Sequence, residues 1–250
     1  MTQLAIALPP DYRMADVLAF HARDGEGVAE QVHAAGFRKG VMLHGVPVQF
    51  DVTFAGGVAH CTLAADGVLP GDAADALPGM LGLLIDPAPF AAAVRHDSML
   101  GPLVARTPGL RIVQSASVFE ALTWAVIGQQ INLPFAIALR RTLILQAGWQ
   151  HSSGVWCYPE AAHVAALDIA DLTSRKFSRA KAETILRLAQ QLVSGELSLG
   201  RDEPVNRVIA RLLAVKGIGP WTVNYALLRG YGYADCSLQG DVAVRSALQR

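Results

Sequence analysis

Leu212-Leu213-Ala214-Val215-Lys216-Gly217-Ile218-Gly219-Pro220-Trp221-Thr222-Val223-Asn224-Tyr225-Ala226-Leu227 is the stretch that decides the fold. A helix is expected to end near Ala214. Gly217 and Gly219 read as a tight turn, because glycine alone accepts positive φ without steric cost. Pro220 then opens a second helix, where its missing N–H does no harm. Helix, hairpin and helix together occupy about residues 206–229. The N–H groups of the turn and the positive end of the second helix face outward together, and this makes a phosphate site. Two glycines by themselves also suit an ordinary helix–helix turn. Val215, Ile218 and Ala226 add small apolar contacts that clamp two helices around a short turn, and Lys216 adds a cation beside it.

Some twenty residues downstream lies Asp235-Cys236-Ser237-Leu238-Gln239-Gly240-Asp241-Val242-Ala243-Val244-Arg245. Asp241 follows a glycine and opens an apolar helical segment. A carboxylate there is held ionised by the helix dipole and by free N–H groups. Two roles are open to it, a reactive acid or a simple N-cap, the commonest job for an aspartate at that place. Asp235 is a competing acid, in a polar loop.

Upstream of the hairpin the pattern is helical back to about Pro87. Ser117-x-x-Glu120 is a capping box, in which the serine accepts a backbone N–H and the glutamate reaches back. It opens an apolar helix from Val118 to Gln129. Leu133-Pro134 starts the next, to about Gln146, and Gly148 to Pro159 reads as a loop. Further helices are expected near 160–167, 179–193 and 204–214. Earlier still, residues 27–64 read as strands. Val46 to Phe54 is β-rich, Gly56-Gly57 is a turn, and Val58 to Leu63 is the return strand. Helices are expected over Met14 to Ala22 and Asp72 to Ile85, the second ended by Asp86-Pro87. The fold class is therefore α+β: an N-terminal antiparallel sheet with helices over residues 1–110, then an all-α domain over 111–250 that carries the hairpin.

The chain has 250 residues, 52% of them hydrophobic, enough to bury a sizeable core. No apolar run is long enough for a membrane span. The start, Met1 to Pro10, has neither a basic leader nor a cleavage-like site, so no secretion signal is expected. Cys61, Cys157 and Cys236 form no disulfide framework and no metal-ligand spacing, and the expected setting is the reducing cytoplasm. The seven histidines show no paired ligand spacing either. Net charge is zero, but unevenly placed. Residues 1–110 hold 6 Lys and Arg against 11 Asp and Glu, whereas residues 111–250 hold 15 against 10. Such a chain suits contact with nucleic acid on one side only.

Taken together, the hairpin and the aspartate beyond it resemble the helix-hairpin-helix/Gly-Pro-Asp superfamily of base-excision DNA glycosylases. Within it, Gly217 to Gly230 closely resembles the DNA-3-methyladenine glycosylase II family. Pro108-Gly109-Leu110-Arg111, Ala125-Val126-Ile127-Gly128-Gln129-Gln130 and Arg179-Ala180-Lys181-Ala182-Glu183 agree with it, and the resemblance extends over nearly the whole chain. It implies that Asp241 is the catalytic aspartate and that Trp221 and Tyr225 line the base pocket. It implies that Gln129 and Gln130 belong to the loop that enters the DNA stack, and that Lys216, Gly217, Ile218 and Gly219 hold the phosphate backbone. The wedge of the family is often a large apolar residue, and Gln130 departs from that. Carbonyls at Leu213, Val215 and Ile218 match positions that hold a monovalent cation in related glycosylases.

The implied activity is hydrolysis of the N-glycosidic bond of alkylated bases such as 3-methyladenine. It needs no cofactor, and its partner is double-stranded DNA containing those bases. A monomer in the cytoplasm, associated with the nucleoid, is expected. Relatives that also cut the backbone carry a lysine two residues after the second hairpin glycine. Trp221 stands there in this chain, so lyase chemistry is not expected. The family continues with further helices past the aspartate, whereas this chain ends nine residues after Asp241, which implies truncation at the C-terminus; iron–sulfur ligands that some relatives carry in that region are lacking. Two alternatives remain at this stage: a damaged-DNA-binding protein without catalysis, and a glycosylase of different base specificity.

Overall fold

A computed structural model describes residues 1–248. Strands β1 (Thr2–Ala7), β2 (Glu30–His33), β3 (Gly36–Leu43), β4 (Val46–Ala55) and β5 (Val58–Ala65) pair antiparallel, with β1 on the outer edge of β5. Helix α1 (Met14–His21) packs on this layer. The register is set by alternation. Phe37, Val41, Val48, Phe50, Val52, Cys61 and Leu63 all turn to one face, where they are buried with Val17, Leu77 and Met80.

Three expectations for this half need correction. The first is that the sheet is not purely antiparallel. Strands β6 (Trp149–Gln150) and β7 (Trp156–Tyr158) arise from the stretch expected to be a loop, and β7 joins β3 in parallel. The edge of β3 is shared. Gly36 to Lys39 pair with β2, and Gly40 and Val41 pair with β7. Gly40 makes this hand-over possible, since a Cβ there would stand 2.3 Å from the Trp156 carbonyl oxygen. The second is the extent of the strands, expected over 27–64: the first strand, β1, lies ahead of α1 at Thr2–Ala7. The third is the single helix expected over 72–85. It is a 3-10 turn (Ala73–Ala76) followed by a four-residue helix α2 (Leu77–Met80), and Gly82, at a left-handed φ of 71°, stops it short of Ile85.

Two short helices, α3 (Ala88–Val94) and α4 (Leu100–Arg106), lead into the central helix α5 (Val118–Gly128). Ten of its eleven residues are buried, which is why it is apolar on every side. Around it lie α6 (Leu133–Ala147), α7 (Ala161–Ala165), α8 (Ile169–Thr173), α9 (Arg179–Ser194), α10 (Val205–Ala214) and α11 (Pro220–Ala226). Helix α11 runs on as a wider π turn (Leu227–Tyr231), and α12 (Val242–Leu248) follows a loop. Leu122, Ile127, Leu143, Ile144, Ile185 and Leu212 form the centre of this second core.

Between the two cores lies a buried cluster of charges. Lys39 Nζ donates to Glu30 Oε1 at 2.8 Å and to Glu120 Oε1 at 2.9 Å, and Arg140 Nη2 donates to Glu120 Oε1 at 2.8 Å. Burial pushes both carboxyls up, but Lys39 and Arg140 outweigh it and hold Glu30 and Glu120 below the usual carboxylate range. The expected capping box is therefore only half made. Ser117 Oγ accepts from Glu120 N at 3.0 Å, but the Glu120 carboxylate accepts from Ala116 N rather than from the cap residue, because its other oxygen is committed to the cations.

Candidate functional site

Helices α10 and α11 meet at the turn Val215 to Gly219. Val215, Ile218 and Ala226 are buried at the junction, where they clamp the two helices. Gly217 has φ +97°, and a Cβ on it would stand 2.1 Å from Thr184 Oγ1 on α9, so both backbone and neighbour demand glycine. Gly219 differs from expectation. Its φ is −105° with extended ψ, so it caps α11 without a left-handed conformation. What distinguishes it is open space, with nothing within 4 Å of the place a Cβ would occupy. That leaves the N-terminus of α11 approachable by a ligand backbone.

The turn is braced from outside. Gln129 Nε2 donates to Gly217 O at 3.1 Å and to Thr222 Oγ1 at 2.9 Å. Arg187 Nη1 donates to Lys216 O at 3.1 Å. Gln129 therefore points into the hairpin, while its neighbour Gln130 is exposed and takes a left-handed φ of 56°. Lys216 is exposed beside the turn. Lys181 donates to Ile127 O at 2.5 Å and Gln129 O at 2.6 Å, and burial lowers its pKa. It holds the end of α5 and the start of the Gln129–Gln130 loop. Arg175, Lys176 and Arg179 are exposed.

Trp221 and Tyr225 are neighbours on one face of α11, with ring centroids 5.4 Å apart. The loop after the π turn brings Asp241 back to them across twenty residues of sequence. Its Oδ1 accepts from Ala243 N at 2.9 Å and Val244 N at 3.1 Å, which caps α12, and its Oδ2 accepts from the Trp221 indole N–H at 3.2 Å. The cap and the contact with the aromatic face thus use different oxygens of one carboxylate. Asp235 is exposed. Two cavities elsewhere are lined by none of these three residues. One of about 1250 Å³ lies between α3, α4 and Leu228, and one of about 600 Å³ lies on the sheet beside His33, Arg38, Asp51 and His60.

Two residues were not singled out from sequence, Arg229 in the π turn after α11 and Arg23 over the Phe20 and Trp124 rings. Arg229 follows Tyr225 by one helical turn, so the i, i+4 spacing could have found it. Arg23 comes from just beyond α1, and no sequence signal connects it with α11.

Two helices joined by a Gly-x-Gly turn, with an aromatic pair leading from it and a carboxylate returned to that pair, define a helix-hairpin-helix protein. The chain is 36% identical over 150 residues to a DNA-3-methyladenine glycosylase of Bacillus subtilis (strain 168), a match covering 58% of this chain and 49% of that protein. It is 29% identical over 151 residues to DNA-3-methyladenine glycosylase 2 of Escherichia coli (strain K12), covering 60% and 54% respectively. The chain spans about half the length of the curated relatives it matches. The solved 3-methyladenine DNA-glycosylase from Archaeoglobus fulgidus superposes with a TM-score of 0.82 at 22% identity, over 99% of this chain and 86% of that one. No protein-family model matches. The chain is thus similar in sequence to part of the DNA-3-methyladenine glycosylases, and in fold to the solved Archaeoglobus fulgidus protein, as the resemblance implied.

Proposed function

We propose that this protein is a monofunctional DNA glycosylase that hydrolyses the N-glycosidic bond of alkylated bases in double-stranded DNA. The observation that carries the reading is the 3.2 Å contact between Trp221 Nε1 and Asp241 Oδ2, at the side of a helix whose first turn offers its backbone to a phosphate. A base inside a duplex is out of reach, so it must be flipped out at a cost of a few kcal/mol. Lys216 and the turn Gly217-Ile218-Gly219, through the N–H groups of Gly217 and Gly219, grip the strand, and the exposed Gln130 enters the stack, with Gln129 anchoring that loop to the hairpin. Carbonyls of Leu213, Val215 and Ile218 would hold a monovalent cation; that of Val215 accepts the Ile218 N–H and keeps a second lone pair free.

Trp221 and Tyr225 stack on the extruded base. As the glycosidic bond breaks, positive charge grows on the sugar, and Asp241 stabilises it and orients water. Oδ1 is committed to the helix cap, whereas Oδ2 has only the indole N–H among the described residues. That oxygen is the one available to the sugar. Trp221 occupies the position where the lyase relatives carry lysine, which supports hydrolysis without strand cleavage. The test is incubation with duplex DNA containing N-methylated purines. Release of free base with strands left intact until alkali is added is the expected result. Retention of every base would overturn the assignment, and borohydride-trappable adducts would overturn its monofunctional part.

A further inference from the structure

Helix α9 carries three side chains that the proposed chemistry does not use. Lys181, Thr184 and Arg187 stand at i, i+3 and i+6, on one side of the helix and about 9 Å from first to last. Thr184 abuts Gly217 and Arg187 donates to Lys216 O, so both reach the hairpin turn. Lys181 reaches the other loop assigned to DNA, the short link from Gln129 to Asn132 between α5 and α6. Its Nζ donates to Ile127 O, an orphan carbonyl in the last turn of α5, and to Gln129 O. The second carbonyl belongs to the peptide that leads into Gln130. Among the described residues no carboxylate lies within ion-pair distance of Lys181, and burial alone lowers its pKa. A half-buried ammonium is thus committed to two carbonyls of one loop. Gln130 needs such a hold. Its φ of +56° is left-handed, a conformation that a residue with a Cβ keeps only where its surroundings over-determine it. The Gln129 amide ties the loop to the hairpin through Gly217 O and Thr222 Oγ1, and Lys181 ties the Gln129 backbone to α9.

We infer that Lys181 is a positioning residue for base extrusion, setting the peptide before Gln130 so that the Gln130 side chain fills the gap a flipped base leaves. The inference rests on the glycosylase reading. With the ammonium gone, the carbonyls of Ile127 and Gln129 turn to water. Gln130 then relaxes to an extended or right-handed backbone, which carries its side chain elsewhere. The loop that enters the stack also loses its fixed spacing from the turn that holds the phosphate, since α9 no longer joins them. Asp241 and Trp221 keep their contact, which involves neither Lys181 nor the loop it holds. The loss therefore falls on extrusion of the base and not on cleavage of its bond.

The test compares one lesion in two contexts. N7-methylguanine is placed opposite cytosine, where extrusion must break a pair, and opposite a tetrahydrofuran abasic analogue, where it need not. The ratio of the two single-turnover release rates does not depend on the fraction of protein folded. Lys181→Met is expected to lower that ratio about tenfold, Gln130→Ala by a similar factor, and Lys181→Arg by little. In the Gln130→Ala background Lys181→Met should lower it no further, since both act through one side chain. A lysine with only a structural role would slow both releases alike. An unchanged ratio in Lys181→Met, or a full further loss in the double variant, would therefore overturn the assignment while leaving the glycosylase reading intact. Where Lys181→Met fails to fold, Lys181→Gln, too short to reach both carbonyls, is read in the same way. A second readout needs no chemistry. 2-Aminopurine beside the lesion should brighten when the wild type binds, and far less with Lys181→Met at equal occupancy. Release of no base in either context by the wild type would overturn the glycosylase reading. The fluorescence then decides for Lys181, and equal brightening with both proteins, or none with either, would overturn its role.

Discussion

Replacing Gly217 with alanine tests the hairpin where its geometry is tightest. The residue sits at φ +97°, and the new Cβ would stand 2.1 Å from Thr184 Oγ1 and 2.8 Å from its Cγ2. The left-handed backbone costs a non-glycine residue roughly 1–2 kcal/mol. Overpacking adds about 1–3 kcal/mol, because Thr184 Oγ1 is tied to Ala180 O at 2.8 Å and cannot swing away without losing that bond. Gly217→Ala should therefore destabilise the protein by about 2–5 kcal/mol. Thr184→Ala removes the two nearest atoms, so the double variant should recover the packing share and retain the backbone share. Urea unfolding of wild type, both single variants and the double variant closes a cycle that reads the coupling directly. A Gly217→Ala protein as stable as the wild type, or a cycle with no coupling, would refute this account of the turn.

Two further predictions concern the buried charges between the cores. Lys39→Met leaves Glu30 and Glu120 buried with one cation fewer, and should lower stability by about 3–5 kcal/mol in a urea titration. The same carboxyls govern the response to acid. Their pKa values are lower in the folded state than in the unfolded chain, so their contribution is complete above the unfolded value of about 4.3 and is lost as pH falls towards the folded values. Circular dichroism should show stability falling below about pH 4, and Lys39→Met should weaken that dependence.

The sequence was most legible where glycine and proline punctuate it. Pro220 and the apolar residues around the turn gave the hairpin, and the alternation in Val46 to Phe54 gave a strand buried on one face. It was least legible where tertiary contact decides. Trp149–Gln150 and Trp156–Tyr158 are too short to show a period, and they are strands because β3 offers them an edge beside Gly40. Glu120 carries a capping-box spacing, yet its carboxylate is drawn away by Lys39, 81 residues distant in sequence. At the candidate site, Trp221 and Tyr225 shared a face by spacing alone. The meeting of Trp221 with Asp241 depended on the path of a loop.

The central claim is that the Asp241 carboxylate serves the departing base rather than only the end of α12. Asparagine keeps one oxygen to accept the Ala243 and Val244 N–H groups but lacks the charge, so Asp241→Asn isolates that claim. Single-turnover base release should fall by at least about 100-fold, while affinity for a duplex holding an abasic site stays close to that of the wild type. Release at the wild-type rate by a folded Asp241→Asn protein would contradict the account.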